Sequence, residues 1–148
     1  MPTIYLDVCC LNRPFDDQTQ ARIHLEAEAV LAIVGQCETT DWEWISSEVI
    51  ETEISRIPDT ERRRRVQTLA SHSHRIVIIG QKEVERAREL ETWGIPAYDA
   101  LHLACAESGE ADVFLTTDDQ LIRKSTAHAK QLKVLVDNPL AWAEEVLT

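Results

Sequence analysis

Residues that break or loosen a chain are scarce in this sequence. Only 4 glycines and 5 prolines occur among 148 residues, which excludes long flexible linkers and low-complexity tracts. No apolar segment approaches the roughly 20 residues needed to cross a bilayer. The N-terminus lacks a basic stretch followed by a signal-like apolar run, so a cytoplasmic protein with no membrane association is expected. The four cysteines, Cys9, Cys10, Cys37 and Cys105, form no Cys-x-x-Cys pair; free, mostly buried thiols are expected rather than a disulfide framework. Positive charge is short as well. The 15 Lys and Arg stand against 26 Asp and Glu, a net charge of −11, which counts against indiscriminate nucleic-acid binding because phosphate is repelled at long range. Any nucleic-acid function has to be local.

What is present reads as alternating strands and helices. Residues 3–8 (TIYLDV) form a short apolar run suited to a parallel strand covered on both faces. Ile23, Ala27, Val30 and Val34 recur at helical spacing over 18–36, with Gly35 as the stop. DWEWIS (41–46) suits a short strand, and Ser46 or Ser47 can cap a helix over 47–56. A second helix, 59–70, carries Arg62, Arg63, Arg64 and Arg65, whose ordinary role is a solvated face. RIVIIG (75–80) reads as a buried strand, 81–92 as a helix, and AYDALHLACAE as a helix restarted after Gly94 and Pro96. DVFLTT (112–117) is a strand, 118–128 a helix, KVLVD (133–137) an edge strand, and 139–147 a helix opened by Pro139. This order implies an α/β fold, three-layer α/β/α with a mostly parallel central sheet, spanning residues 1–148 as a single domain.

Four carboxylates fall where a core or a sheet edge is expected. Asp7 closes the first strand, and Asp118 follows the 112–117 strand; ligand sites in open parallel sheets gather at that carboxyl edge. Asp118 also suits a helix N-cap, and capping is compatible with ligation. Glu53 lies four residues after Val49 and three after Ile50, inside the apolar stripe of its helix, whereas Glu48 and Glu51 face water. Asp99 sits in a first helical turn, where the dipole favours a carboxylate, and Ala100 and Ala104 let that helix approach the sheet. Like charges gathered this way repel and raise one another's pKa. A divalent cation removes the conflict, and an all-oxygen donor set suits Mg²⁺ or Mn²⁺ over zinc. Such an ion with retained water points to phosphodiester hydrolysis.

In YLDVCCLNRPFDD, SSEVIETEISRIPD, DALHLACAE and FLTTDD, taken in order, the chain resembles PIN-domain ribonucleases of the kind found as VapC-like toxins of toxin–antitoxin pairs. The resemblance implies a PIN-like fold and an Mg²⁺- or Mn²⁺-dependent endoribonuclease. Its catalytic and metal-binding acids would be Asp7, Glu53, Asp99 and Asp118. It further implies that Thr116 orients the carboxylates through its hydroxyl, with Asp119 as an outer acid, and that the partners are an RNA substrate, an antitoxin and a second copy of the chain. Val8, Cys9 and Cys10 follow Asp7 where the family usually has a small or polar residue in a loop. Arg13 is a candidate phosphate contact, with a salt bridge to Asp16 or Asp17 as its equal alternative.

Other features suit packing. His72 and His74 have no third ligand and belong to a polar loop. His102, one turn after Asp99, suits a helix-surface or interhelical hydrogen-bonding role, with lining of the cleft as the alternative, and Trp42, Trp44, Trp93 and Trp142 suit packing or subunit contacts. A PIN-like scaffold that binds RNA or protein without catalysis is the alternative function. A haloacid-dehalogenase-like phosphatase fits less well, because it expects a second acid where Cys9 stands; so does a receiver domain, which expects adjacent acids. An ion bound only by the folded state stabilises it, so millimolar Mg²⁺ or Mn²⁺ is expected to raise the melting temperature, and Asp7→Asn to reduce that response; an unchanged melting curve contradicts the metal site.

Overall fold

The computed structural model describes residues 1–147. Its elements run β1 (Thr3–Leu6), α1 (Val8–Asn12), a 3-10 turn (Arg13–Phe15), α2 (Ala21–Thr39), β2 (Glu43–Ser47), α3 (Glu48–Ser55), α4 (Thr60–Ala70), β3 (Arg75–Val77), α5 (Gln81–Glu91), α6 (Ala97–Ser108), β4 (Val113–Leu115), α7 (Asp119–Ala127), β5 (Leu135–Asp137) and α8 (Pro139–Val146). The five strands form one parallel sheet in the order β3-β2-β1-β4-β5. Helices cover both faces, so the expected three-layer α/β/α fold with a parallel sheet is the one observed. Strand order runs outward from β1 through β2 to β3 on one side, and from β4 to β5 on the other. The reversal lies between β1 and β4, where the carboxyl ends of an open α/β sheet leave a crevice.

Side-chain alternation explains the two buried faces of the central strands. Ile4, Tyr5, Phe114 and Leu115 are fully buried. Tyr5 and Phe114, opposite one another in register, stack at 5.1 Å between ring centroids and turn toward α6. Ala100 and Ala104 are buried, as expected of small residues that let α6 lie close to the sheet. Trp44 is fully buried, Trp42 packs edge-to-face on Trp142, and Trp93 stacks on His128, so the tryptophans serve packing.

Three expectations change. The first strand ends at Leu6 rather than Val8: Asp7 caps a short helix by accepting the Val8 amide at 2.8 Å, and Val8, Cys10 and Leu11 bury from a helix, not a strand or loop. Gly35 does not stop α2, which continues to Thr39. RIVIIG supplies only a three-residue strand at the sheet edge, with Ile76 and Ile78 exposed; an apolar run alone does not distinguish a central strand from an edge strand. KVLVD forms the opposite edge, as expected.

Gly109, which ends α6, is a glycine the packing requires. A Cβ there would lie 2.6 Å from the Ile45 side chain on β2, 2.9 Å from Val77 on β3 and 3.3 Å from the Cys105 carbonyl. Gly109→Ala is therefore expected to push α6 off the sheet and lower stability by about 1–3 kcal/mol, measurable by urea unfolding; an unchanged midpoint contradicts this contact.

Candidate metal centre at the sheet switch point

Asp7 leaves the carboxyl end of β1 beside Thr116, which follows β4. The two backbones are joined there by the Asp7 amide donating to the Leu115 carbonyl at 3.0 Å. Asp7 is 7% exposed, and each carboxylate oxygen has a donor: Oδ1 takes the Val8 amide, and Oδ2 takes the Thr116 hydroxyl at 2.8 Å. Thr116 Oγ1 in turn accepts the Asp118 amide at 3.1 Å. One buried hydroxyl thus ties the Asp7 side chain to the backbone that carries Asp118. The Cys9 thiol, part-buried, lies 3.5 Å from Asp7 Oδ2 and accepts the Thr117 amide at 3.3 Å.

Asp118 is exposed and caps α7 through Oδ1, which accepts the amides of Gln120 and Leu121. The capping role read from sequence is present. Asp119 forms a two-pronged pair with Arg22, at 2.9 and 2.8 Å, and Arg22 also donates to the Thr117 carbonyl. Asp119 therefore anchors the β4–α7 turn to α2.

Glu53 projects from α3 and Asp99 from the first turn of α6. His102, fully buried on α6, links Glu53 to the sheet: Nε2 meets Glu53 Oε1 at 2.6 Å and stands 3.9 Å from Asp7 Oδ1, while Nδ1 meets the Tyr5 hydroxyl at 2.7 Å. Of the two roles expected of His102, the interhelical bond is observed and full burial excludes the helix-surface one. Burial would lower the imidazole pKa, but the Glu53 bond and the charges of Asp7, Glu53 and Asp99 raise it above its ordinary value.

The acids share one field. Asp99 is pushed up to about 6, first by burial and then by Asp7; His102 opposes the shift, and Asp118 and Glu53 add to it. No Lys or Arg forms an ion pair with Asp7, Glu53, Asp99 or Asp118 among the described residues. Nor are three ligating side chains gathered tightly enough there to make a ready-built coordination shell. The result is a set of oxygen donors at a sheet switch point with His102 but no Lys or Arg beside it, a donor set whose chemistry fits a hard divalent cation.

Two charged residues found a different role. Arg13 is held by Asp16 at 3.0 Å and by Glu26 at 2.8 Å, the salt-bridge alternative with an additional partner. Glu26, 1% exposed, also binds Arg22 and the Asn138 amide group. Sequence reading passed over Glu26 although it lies three residues after Ile23 and four before Val30, the spacing that singled out Glu53. Arg62 leaves the solvated face to bind Asp16 and the Phe15 carbonyl, whereas Arg64 and Arg65 pair with Glu61. His72 meets Glu38 and His74 accepts the Trp44 amide, separate contacts as expected of a polar loop.

Fold and acid cluster together define an α/β protein of the PIN class. A family model described as PIN domain matches residues 4–127, and the chain belongs to that family. Among solved structures it is similar to a chain of VapBC2 from Rickettsia felis bound to a DNA fragment from its promoter. That match has 15% identity and a TM-score of 0.58 over 92% of this chain and 98% of that one. It is also similar to a chain of VapBC-1 from nontypeable Haemophilus influenzae, with 12% identity and a TM-score of 0.59 over 93% and 98%. At these identities the likeness is one of fold. No curated protein matches the sequence significantly. Among the described residues, no helix is long and apolar enough to cross a membrane.

Ionised Asp99 opposes folding, because its folded-state pKa lies above the usual 3.8. The cost is absent below the unfolded pKa, grows between there and about 6, and is complete at neutral pH. With chelator present at pH 7.5, Asp99→Asn is expected to raise stability by about 1–2 kcal/mol after allowance for solvent screening. Denaturant unfolding checks this; a destabilised variant contradicts it.

Proposed function

We propose that the chain is an Mg²⁺- or Mn²⁺-dependent endoribonuclease that hydrolyses RNA phosphodiester bonds, acting as the toxin of a toxin–antitoxin pair. The observation that supports this reading is geometric: Glu53 meets His102 at 2.6 Å, His102 stands 3.9 Å from an Asp7 carboxylate that Thr116 holds, and no Arg or Lys pairs with these acids or with Asp99 and Asp118 among the described residues. Membership of the PIN family, whose members are in general nucleases, supports the same chemistry.

In this reading Asp7, Glu53, Asp99 and Asp118 hold the ion. When bound, it supplies an acidified water and a polarised phosphoryl oxygen. Thr116 keeps the Asp7 carboxylate and the Asp118 backbone in fixed relation, and Asp119 with Arg22 steadies the turn between them. The acids lie at the open edge of the sheet, where a polymer can cross the crevice. A bound cation reverses the local field, which lets a protein of net charge −11 receive phosphate. Arg13 remains a candidate phosphate contact only if substrate displaces Asp16 or Glu26.

The solved chains of similar fold come from VapBC structures, and by that likeness we assign a cognate antitoxin as partner. A homodimer and a cytoplasmic location complete the proposal. Purified protein with single-stranded RNA and Mn²⁺ is expected to give internal cleavage that EDTA abolishes and that Asp7→Asn and Asp99→Asn each reduce at least 100-fold. RNA binding without turnover would identify the non-catalytic scaffold instead, and cleavage surviving both substitutions would mark a contaminant.

A further inference from the structure

Glu53 reaches the cleft from a flexible three-bond side chain, yet it is held from behind by a continuous buried chain of hydrogen bonds. The chain starts at the Ile50 amide in the first turn of α3, which donates to Ser47 Oγ at 3.2 Å. Ser47 Oγ lies 2.7 Å from the Tyr5 hydroxyl, and that hydroxyl lies 2.7 Å from His102 Nδ1. His102 Nε2 then meets Glu53 Oε1 at 2.6 Å, three residues along the helix where the chain began. The path closes on itself through α3, β2, β1 and α6.

Every link before the part-buried His102–Glu53 contact lies in a place where water cannot substitute. Ser47, Tyr5 and His102 are each fully buried. A buried polar atom left without a partner costs about 1–3 kcal/mol, so breaking one link disfavours the arrangement at the others. Donation can run in a single direction, from the Ile50 amide through Ser47 and Tyr5 to Nδ1, leaving Nε2–H for Glu53. An imidazolium would also present Nε2–H to Glu53, so the contact holds in either protonation state. The rings are fixed as well: Tyr5 stacks on Phe114 at 5.1 Å and meets His102 edge-on at 5.8 Å.

We infer that Tyr5 and His102 are positioning residues for the proposed cation site, aligning the Glu53 carboxylate with Asp7 through the buried Ser47–Tyr5–His102–Glu53 chain. The inference rests on the metal-ion reading above but concerns residues that do not touch the ion. Partners of this kind orient a ligand and typically change metal affinity 10–100-fold when removed.

Tyr5→Phe removes one hydroxyl and keeps the stacked ring; His102→Leu removes both links. In Mn²⁺ titrations of folded protein followed by electron paramagnetic resonance, Tyr5→Phe is expected to weaken binding about 10-fold and His102→Leu at least as much. In a Glu53→Gln background the Tyr5→Phe effect is expected to vanish, an outcome that a general packing defect would not give. Metal-free crystal structures of the wild type and of Tyr5→Phe are expected to show the Glu53 carboxylate shifted in the variant. Wild-type Mn²⁺ affinity in folded Tyr5→Phe, or an effect that persists undiminished with Glu53→Gln, overturns the inference. If the wild type binds no Mn²⁺, the metal-ion reading fails, and an unmoved Glu53 in the metal-free variant separately overturns the positioning role. Should His102→Leu fail to fold, Tyr5→Phe alone decides.

Discussion

Mutual repulsion among carboxylates at the β1–β4 crevice is the constraint on which the rest of the arrangement depends. An acid cluster tends to disperse, and a side chain on a loop would simply turn outward. Here the backbone prevents dispersal. Asp7 and Asp118 leave adjacent parallel strands whose spacing is fixed by the ladder, and Glu53 and Asp99 leave helices packed against that sheet. The energy that keeps like charges together is therefore the burial of Ile4, Tyr5, Phe114 and Leu115, well away from the charges themselves. A stable core can sustain a destabilised edge, and the function proposed above would draw on that unfavourable field.

The two halves of the cleft are secured differently. On the β4 side, Thr116 couples Asp7 to the Asp118 backbone, while Arg22 holds the following turn through Asp119 and the Thr117 carbonyl. Part of that support is exposed, so salt can weaken it. On the α3 side the support is a chain buried as far as His102, with only its contact to Glu53 part-buried, so salt reaches it less. The contrast follows from position: the β4–α7 turn lies at the surface, whereas α6 runs directly over the sheet.

Much of the architecture could be read from pattern because each element obeyed a local rule. Ser47 caps α3, Pro139 opens α8, and Ala100 and Ala104 bring α6 close to the strands. Where pattern failed, one signal had two physical causes. The apolar run after Asp7 served a short helix, since Val8, Cys10 and Leu11 can bury equally well from either conformation. Ile76 and Ile78 read as core, but a strand's neighbours are set by topology, not by its own composition. Gly35 was harmless within α2 because a glycine weakens a helix without forbidding it.

The acids show most clearly where sequence reasoning reaches its limit. Glu26 and Glu53 occupy equivalent positions on their helical stripes, and both turn inward. Glu26 meets Arg13, Arg22 and Asn138, so its charge is compensated within the protein; Glu53 meets His102, whose Nε2 also stands 3.9 Å from Asp7. Arg22 lies one turn from Glu26 on the same helix, but Arg13 and Asn138, like His102 for Glu53, lie more than ten residues away along the chain, where no helical wheel contains them. An inward-facing acid is therefore evidence of an unmet charge only after its cationic neighbours have been located. Applied to the two inward-facing helix acids, that criterion removes Glu26 and leaves Glu53, which has no arginine or lysine among its ion-pair partners.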